Sequence, residues 1–278
     1  MLNMLKPKVN YENKKVIVRV DYNVPITNGK IKDNNRILCS LKTINYLIDS
    51  KAKIILMSHL GKIKTEEDKS KNSLEVVSVE LSKLLKTKVK FCKSTRGTEL
   101  ENMINSLKSG EILLVENTRF EDYPEKLESS CDKELSFYWA SLADKYVMDA
   151  FGSIHRNHAS TYGIASILGG VTGFLVDEEL KHLKEVLDNK NKIIILGGAK
   201  VSDKLGVIEN LVNNSKKILL GGGMCFTFLK ALGKNIGNSI VDEEKIGYCK
   251  ELLDKYSDKI ILPIDITTQN GDKNIDNI

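Results

Sequence analysis

The chain has 278 residues, a length at which two domains of roughly 100 to 200 residues are expected. Its composition, 41% hydrophobic and 28% charged, is that of a globular protein, and no apolar run reaches the length of a membrane-spanning helix. The net charge is +5, but the lysines are dispersed and no basic run alternates with aromatic residues. We therefore expect a cytoplasmic protein without nucleic-acid or membrane partners.

Short apolar runs alternate with helical patterns in the first 150 residues. The apolar runs lie at 16–20, 54–57, 89–91, 112–115 and 146–148. Two sets of apolar residues between them recur at helical spacing: Ile37, Leu41, Ile44 and Ile48, then Leu74, Val77, Leu81 and Leu84. Apolar strands separated by helices predict a parallel sheet that is buried on both faces. Each predicted helix turns its apolar stripe toward that sheet.

The pattern restarts after a further predicted helix. One stripe, formed by Val176, Leu180, Leu183 and Leu187, predicts a helix that joins two lobes. Apolar runs follow at 193–196, 218–220 and 260–262, and glycines and a helical pattern come after each of the first two. We predict a domain at 1–173, an interdomain helix at 174–190 and a partial domain at 191–278. The expected fold is α/β, with two doubly wound, Rossmann-like parallel-sheet lobes, of which the second is incomplete.

Arginine is rare in this chain. Only five of the 42 Lys and Arg residues are arginines: Arg19, Arg36, Arg96, Arg119 and Arg156. Because lysine is accepted almost everywhere else, the arginines are candidates for positions that need a planar fork to grip a carboxylate or phosphate. For any single arginine, a surface ion pair is an equal alternative.

Polar residues follow four of the predicted strands, in the segments DYNVP, SHLGK, ENTRF and DAFGSIHRNHAS. In an open parallel sheet, ligands bind at the carboxyl ends of the strands. The residues expected at this edge are Asp21, Asn23, His59, Lys62, Arg119, His155 and Arg156, with Arg36 joining from the helix after the TNGK turn. Three converging arginines predict a small anion with more than one acidic group. Taken singly, D-x-N is an Asx turn, and His155 with His158 lacks a third metal ligand.

The second lobe carries a different signal. Its first two strands end in GGAKVSDKLG and GGGMCFTFLKALG. Glycines between a strand and a helix let backbone N–H groups approach a phosphate, and Lys200 and Lys204 add positive charge. Neither segment is a Walker loop or G-x-G-x-x-G, so tight turns without a ligand are the alternative.

Six motifs in this order and spacing resemble the phosphoglycerate kinase family: RVDYNVP, SHLG, ENTRF, DAFGSIHRNHAS, LGGAKVSDK and GGGMCFTFLKALG. The resemblance implies a two-lobed kinase whose first lobe binds phosphoglycerate and whose second binds magnesium nucleotide, with a hinge between them. The implied substrate-binding residues are Asp21, Tyr22, Asn23, Arg36, His59, Leu60, Gly61, Lys62, Arg119 and Arg156. The implied nucleotide-binding residues are Gly197, Gly198, Lys200, Lys204, Gly221, Gly222 and Gly223. Arg36 and Lys200 take the catalytic roles, and no residue of the chain is assigned as a metal ligand.

The resemblance also implies a reaction. It is reversible phosphoryl transfer in glycolysis between 1,3-bisphosphoglycerate and ADP, giving 3-phosphoglycerate and ATP, by a monomer that uses Mg²⁺ with the nucleotide. Two departures stand out: Lys62 and Ile63 replace the Arg-Pro that usually follows SHLG, and the C-terminal part of the family's second domain, with a glycine-rich loop and an aspartate, has no counterpart. We therefore expect phosphoglycerate binding but little turnover from these 278 residues alone.

Two other functions are compatible with parts of this pattern. One is a catalytically weak or inactive phosphoglycerate-binding fragment or regulatory pseudo-kinase, which the missing segment favours. The other is a nicotinamide-dependent oxidoreductase of similar topology. No predicted strand is followed by G-x-G-x-x-G with an acidic residue about 20 positions on, which disfavours the oxidoreductase.

Overall fold

The computed structural model describes residues 3–4, 10–268 and 271–274. The chain divides into two compact units, Met1–Lys181 and His182–Ile278. The boundary falls inside a helix, Phe174–Asp188, whose existence the sequence predicted. The three predicted domain ranges themselves stay a prediction.

The described residues of the first unit form nine strands: β1 Asn3–Met4, β2 Lys15–Val20, β3 Ile26–Thr27, β4 Lys30–Ile31, β5 Lys53–Met57, β6 Val89–Cys92, β7 Ile112–Val115, β8 Lys145–Asp149 and β9 Val171–Thr172. Its helices are α1 Asn35–Asp49, α2 Glu66–Lys71, α3 Glu75–Leu85, α4 Thr98–Asn105, α5 Lys133–Ser141, α6 Ile164–Leu168 and α7 Phe174–Asp188. Seven strands form one sheet in the order β1-β9-β8-β2-β5-β7-β6, and all its pairings are parallel. The five predicted strands of this lobe are confirmed.

This sheet is covered on both faces because successive strand residues point to opposite sides. Val16 and Val18 enter one apolar cluster with Ile37 and Ile44 of α1, while Ile17 enters a second cluster that includes Trp139 of α5. The first unit is therefore doubly wound, as predicted. The β3–β4 hairpin turns at Asn28 and Gly29, which both have positive φ, the backbone that an Asn-Gly hairpin turn requires.

The second unit is smaller. It contains β10 Ile193–Gly197, α8 Leu205–Val212, β11 Lys217–Gly221, α9 Cys225–Ala231, α10 Ile246–Lys255, β12 Ile260–Ile261, β13 Asp265–Thr268 and β14 Gly271–Asn274. Strands β10, β11 and β12 form a parallel sheet in that order, and β13 pairs with β14 as an antiparallel hairpin. The predicted third strand is shorter than expected, and Pro263, which has no backbone N–H for a sheet, follows closely after it.

Within the part of the chain that the structure describes, one face of this second sheet lacks the cover that parallel sheets normally have. Ile218, Leu220 and Ile260 pack into one apolar cluster on the other face. On β10, by contrast, Ile193 is 61% exposed and Ile195 is 78% exposed. The stripe predicted on α7 is exposed as well, except for Val176, so its spacing predicted the helix correctly but not its burial. These observations agree with a second lobe that is only half of a doubly wound sheet.

Candidate functional site

Four loops meet at one edge of the first sheet. They follow β2, β5, β7 and β8, which are neighbours in the sheet in the order β8-β2-β5-β7 and run parallel. Their carboxyl ends therefore lie side by side, so the loops that begin with Asp21, Ser58, Glu116 and Ala150 are brought together. The sequence predicted this grouping.

Asp21 and Arg36 form an ion pair at this edge. The Asp21 carboxylate is nearly buried, whereas half of the Arg36 side chain remains exposed. Gly152 lies against this pair, since a Cβ at that position would be 2.8 Å from Oδ2 of Asp21. The glycine of the DAFG segment thus lets the loop after β8 approach the loop after β2. Arg36 keeps an accessible charge while Asp21 fixes its position.

Asn23 joins the loops after β2 and β5. Its Oδ1 accepts a hydrogen bond from the Gly61 N–H at 2.9 Å, while the Tyr22 N–H donates to the Ser58 hydroxyl at 2.8 Å. The side chains of Tyr22 and Leu60 are buried in the core, so only their backbones can meet a ligand. The amide nitrogen Nδ2 of Asn23 makes no hydrogen bond within the described part of the chain, which leaves it free to donate.

His59 lies deeper, with only 4% of its surface exposed. Its Nδ1 is 3.2 Å from Nη2 of Arg19. Burial, and after it the positive charges of Arg19, Arg119 and Arg156, lower the pKa of His59 to about 2. His158 has its pKa lowered to about 4, mainly by burial and then by Arg119. Both rings are therefore neutral at physiological pH, although they lie among cations.

Two of the arginines have few partners of their own. Arg119 is nearly buried, its Nε is enclosed without a hydrogen bond, and its Nη1 is 3.4 Å from the Asp122 carboxylate, a long contact. Arg156 is half-buried and makes no side-chain hydrogen bond or ion pair among the described residues. Buried charge without a partner is costly, and the unpaired nitrogens of these two guanidinium groups could donate hydrogen bonds to an anion. Lys62, in contrast, is exposed at the end of its loop.

Asn117 supports this arrangement from below and was not predicted. Its Nδ2 donates to the carbonyl oxygens of Leu60 and Asn72, at 2.7 and 2.9 Å. Its Oδ1 accepts from the N–H groups of Leu60 and Arg119, both at 3.1 Å. One fully buried amide therefore holds the loop that carries His59 against the loop that carries Arg119. Its place between Glu116 and Thr118 in the ENTRF motif was visible, but the direction of its side chain was not.

Four residues linked to His59 by contacts were also missed. Arg19 contacts the His59 ring and Ser160, and Glu128 contacts Ser160 and His158. Arg19 was noted as a rare arginine, and its place inside an apolar strand was a signal that it had a buried partner. Glu128 had no such signal, because it lies in a polar loop far from the strand ends. Arg96 is placed differently: it pairs with Glu121 at 3.0 Å and is 56% exposed, which agrees with an ordinary surface ion pair.

In the second unit, the two glycine turns pack against each other. A Cβ on Gly222, whose φ is +65°, would be 3.1 Å from the backbone N and O of Gly198. The Met224 N–H donates to the Gly198 carbonyl at 2.8 Å, and Gly197 pairs with Gly221 in the sheet. Lys200 is exposed in the turn after β10, and the side chain of Lys204 passes near Gly198. The turns thus place glycine backbone without side chains, together with two lysines, at the carboxyl ends of β10 and β11.

Neither a protein metal cage nor a membrane span emerges from the described residues. They contain no cluster of three or more His, Cys, Asp or Glu side chains that could hold a metal ion. His155 is exposed, and His158 faces Glu128 at 3.8 Å, so these two histidines do not form a metal site with a third ligand. Within the same residues, no helix is both long and apolar enough to cross a bilayer.

Known proteins match this chain over nearly its whole length. The family model for phosphoglycerate kinase matches residues 7–277. Phosphoglycerate kinases from Fusobacterium nucleatum and Listeria monocytogenes are each 54% identical to it, over 96% and 92% of the chain and 68% and 65% of those proteins.

Solved structures agree with these matches. The phosphoglycerate kinase of Coxiella burnetii superimposes with a TM-score of 0.83 at 34% identity, covering 97% of this chain and 70% of that one. That of Pyrococcus horikoshii gives 0.80 at 31% identity, covering 99% and 71%. The chain therefore spans about two thirds of the length of its curated relatives. On the match of the family model and the identity to these relatives, the chain belongs to the phosphoglycerate kinase family.

Proposed function

We propose that the edge of the first sheet binds 3-phosphoglycerate and that the family reaction, phosphoryl transfer between 1,3-bisphosphoglycerate and ADP, is the function of this chain. The observation that carries the proposal is the pair of under-partnered guanidinium groups, Arg119 and Arg156, beside the neutral ring of His59. Forked cations suit the carboxylate and phosphate of such a ligand. The family relationship supplies the ligand's identity.

Each first-unit residue has a role under this proposal. Arg119, Arg156 and His59 hold the acidic groups of the ligand, and Nδ2 of Asn23 donates to it. Asp21 accepts from the glycerate hydroxyl and orients Arg36. Lys62 contributes positive charge from the end of its loop. Because it stands where the family usually has arginine, the charge is kept but two parallel hydrogen bonds cannot form.

In the forward direction an oxygen of the ADP β-phosphate attacks the acyl phosphorus. The bond between the phosphorus and the oxygen that bridges it to the acyl carbon breaks. 3-Phosphoglycerate leaves with that oxygen as part of its carboxylate, and the other product is ATP. The protein's work is positioning and charge neutralisation, because phosphoryl transfer needs little covalent help. Arg36 and Lys200 are assigned to neutralise the moving phosphoryl group, and no covalent enzyme intermediate forms.

The second unit is proposed to bind the nucleotide. Glycine backbone at the ends of β10 and β11 admits phosphate, while Lys200 and Lys204 supply charge. Asp203, an exposed carboxylate in the same turn, would be the side chain that holds a magnesium ion brought in with the nucleotide, because Mg²⁺ is usually bound by one or two carboxylates together with phosphate and water. When bound with the nucleotide, the ion supplies further neutralisation of phosphate charge.

The test is Arg156→Lys in titration calorimetry with 3-phosphoglycerate. An ammonium keeps the charge but cannot make two parallel hydrogen bonds, so we expect affinity to fall by about tenfold. Arg96→Lys is the matched control, because Arg96 already pairs with Glu121, and its affinity should be unchanged. Equal affinities for wild type and Arg156→Lys would remove Arg156 from the site.

A phosphoglycerate-binding fragment or pseudo-kinase is the second candidate, favoured by the exposed apolar face of β10 in the second sheet. A coupled ATP assay separates it from the kinase. Under this alternative, calorimetry shows 3-phosphoglycerate binding while the assay shows little activity, because loss of even one transition-state donor costs about 100-fold or more in rate. Turnover like that of a full-length family member would reject it.

A further inference from the structure

Arg19 is buried at a position where the strand pattern calls for an apolar residue. It lies in β2 between Val18 and Val20, pairs with Met57 and Met148 on the neighbouring strands, and is 1% exposed. A guanidinium in such surroundings is tolerated only when its donors are hydrogen-bonded and its charge is compensated. Arg19 must therefore have buried hydrogen-bond partners and a compensating negative charge.

All three nitrogens of the guanidinium have a partner. Nε donates to the Ser160 hydroxyl at 2.8 Å, and Nη1 donates to the Val20 carbonyl at 2.5 Å. Nη2 lies 3.2 Å from Nδ1 of His59. The group is thus held on two sides and points its third nitrogen at the histidine ring.

Ser160 connects Arg19 to a buried carboxylate. Its hydroxyl accepts from Arg19 and donates to Oε1 of Glu128, while Oε2 of Glu128 accepts the Ser160 N–H at 2.9 Å. Glu128 is fully buried, and its negative charge favours the charged form of Arg19. A continuous chain of hydrogen bonds therefore runs from Glu128 through Ser160 and Arg19 to His59.

The direction of the last hydrogen bond follows from the chemistry of the two groups. A guanidinium can only donate, so Nδ1 of His59 must accept and cannot carry a proton. A protonated ring would oppose one N–H to another at this distance. The neutral ring must then carry its single proton on Nε2.

Nε2 is available to a ligand. It makes no hydrogen bond to any described residue. Because it is not fully enclosed either, it reaches solvent. The positive charges that disfavour a second proton on the ring are those of Arg19, Arg119, Arg156 and protonated His158. The ring consequently offers one neutral N–H among three guanidinium groups.

We infer that Arg19 is a positioning residue which, held by Ser160 and Glu128, fixes His59 as the neutral Nε2–H tautomer, so that His59 offers bound phosphoglycerate a hydrogen-bond donor and not a charge. The identity of the ligand rests on the proposed function, whereas the tautomer rests on the contacts alone. A neutral donor adds direction to the anion site without adding repulsion between the ring and Arg119 or Arg156 when no ligand is bound.

The tautomer is tested by two-bond ¹H–¹⁵N correlation NMR on the uniformly labelled full chain without ligand. We expect the Nδ1 resonance of His59 in the range of an unprotonated nitrogen and that of Nε2 in the range of a protonated one, unchanged between pH 8 and pH 5. A proton on Nδ1, an averaged pair of resonances, or titration of the ring within that range would overturn the inference.

Variants test the role of the chain of hydrogen bonds. In Arg19→Lys and in Ser160→Ala, the His59 resonances should move toward the average of two tautomers, and 3-phosphoglycerate affinity should fall by about tenfold, with ADP affinity unchanged. Tyr146→Phe is the matched control: it removes a buried hydroxyl that donates to the Ser160 carbonyl at 2.8 Å, but none of the side-chain contacts of Arg19. Its tautomer should be that of the wild type. An unchanged tautomer in both test variants would show that Arg19 does not set it.

A pair of substitutions at His59 tests the donor itself. The amide nitrogen of His59→Gln reaches about as far as Nε2, whereas that of His59→Asn does not, so Gln should retain more 3-phosphoglycerate affinity than Asn. Equal losses would mean that the ring does not act as a donor to the ligand. If the wild-type chain bound no 3-phosphoglycerate, the proposed function would fail, while the NMR result would still decide the tautomer.

Discussion

Oδ1 of Asn23 accepts a hydrogen bond from the Gly61 N–H at 2.9 Å, which ties the loop after β2 to the loop after β5. Gly61 has φ of +61°, a left-handed conformation that favours glycine. A Cβ there would also lie 2.2 Å from Oδ1 of Asn72, so that side chain would have to move. The conformation and the crowding both act on the segment that places His59 and Lys62.

Gly61→Ala should therefore destabilise the chain by about 1 to 3 kcal/mol and weaken 3-phosphoglycerate binding. Gly29→Ala is the matched control, because Gly29 has a similar φ of +69° but nothing within 4 Å of the added Cβ. Urea unfolding and calorimetry measure the two effects. If both alanine variants lost the same stability and bound the ligand equally, crowding at Gly61 would have no consequence.

Asp149 should make folding stability fall as pH rises. It is fully buried, and burial raises its pKa to about 6 from 3.8, although hydrogen bonds from Thr43, Val176 and Leu175 favour its charged form. A raised folded-state pKa gives stability that is complete below about pH 4 and is lost by about pH 6, by roughly 3 kcal/mol.

Asp149→Asn removes this contribution and keeps an oxygen that can accept from the start of α7. We expect the fall in stability between pH 4 and pH 6 to shrink in Asp149→Asn, measured by urea unfolding across that range. Asp254→Asn, at an exposed position of α10, should follow the wild-type curve. Parallel curves for Asp149→Asn and wild type would contradict the burial argument.

His158 should act in the opposite direction. Its pKa is lowered to about 4, so the unfolded chain takes up a proton near pH 6.5 while the folded chain does not. Stability from this group is complete above pH 6.5 and falls as pH drops toward 4, by about 2 kcal/mol at pH 5.

The measurement is the free energy of unfolding of His158→Gln between pH 7 and pH 5, which should depend less on pH than that of the wild type. His182→Gln is the control, since the His182 side chain is 65% exposed. The prediction is wrong if removing the exposed and the buried histidine changes the pH dependence to the same extent.

Lys200→Ala should weaken nucleotide binding by about tenfold and leave 3-phosphoglycerate affinity intact, since the two ligands are assigned to different units. Lys200 is exposed, so its removal should change folding stability by less than about 0.5 kcal/mol. Lys216→Ala, an exposed lysine before β11, is the matched control and should bind ADP like the wild type. An equal loss of affinity for both ligands in Lys200→Ala would refute the assignment.

The strands and the site edge could be predicted because their signals are local. The apolar runs at 16–20, 54–57, 112–115 and 146–148 became neighbouring strands, and the polar segments after them met at one edge because parallel strands end on the same side. The six motifs likewise predicted the family, because each is a local run of sequence that needs no tertiary contact to be recognised. The length of the third strand in the second unit and the added β13–β14 hairpin were not predicted, since short strands depend on their pairing partners.

The sequence by itself determined the α/β order, the two-part organisation and the residues gathered at the strand ends, because periodicity and parallel pairing leave few other arrangements. Only the tertiary structure decided how those residues act. Ser160 is 32 residues from Glu128 and 141 residues from Arg19 along the chain. These three residues nevertheless form one buried chain of hydrogen bonds to His59. Burial among guanidinium groups then sets the protonation of that ring, and burial depends on packing that no local pattern encodes.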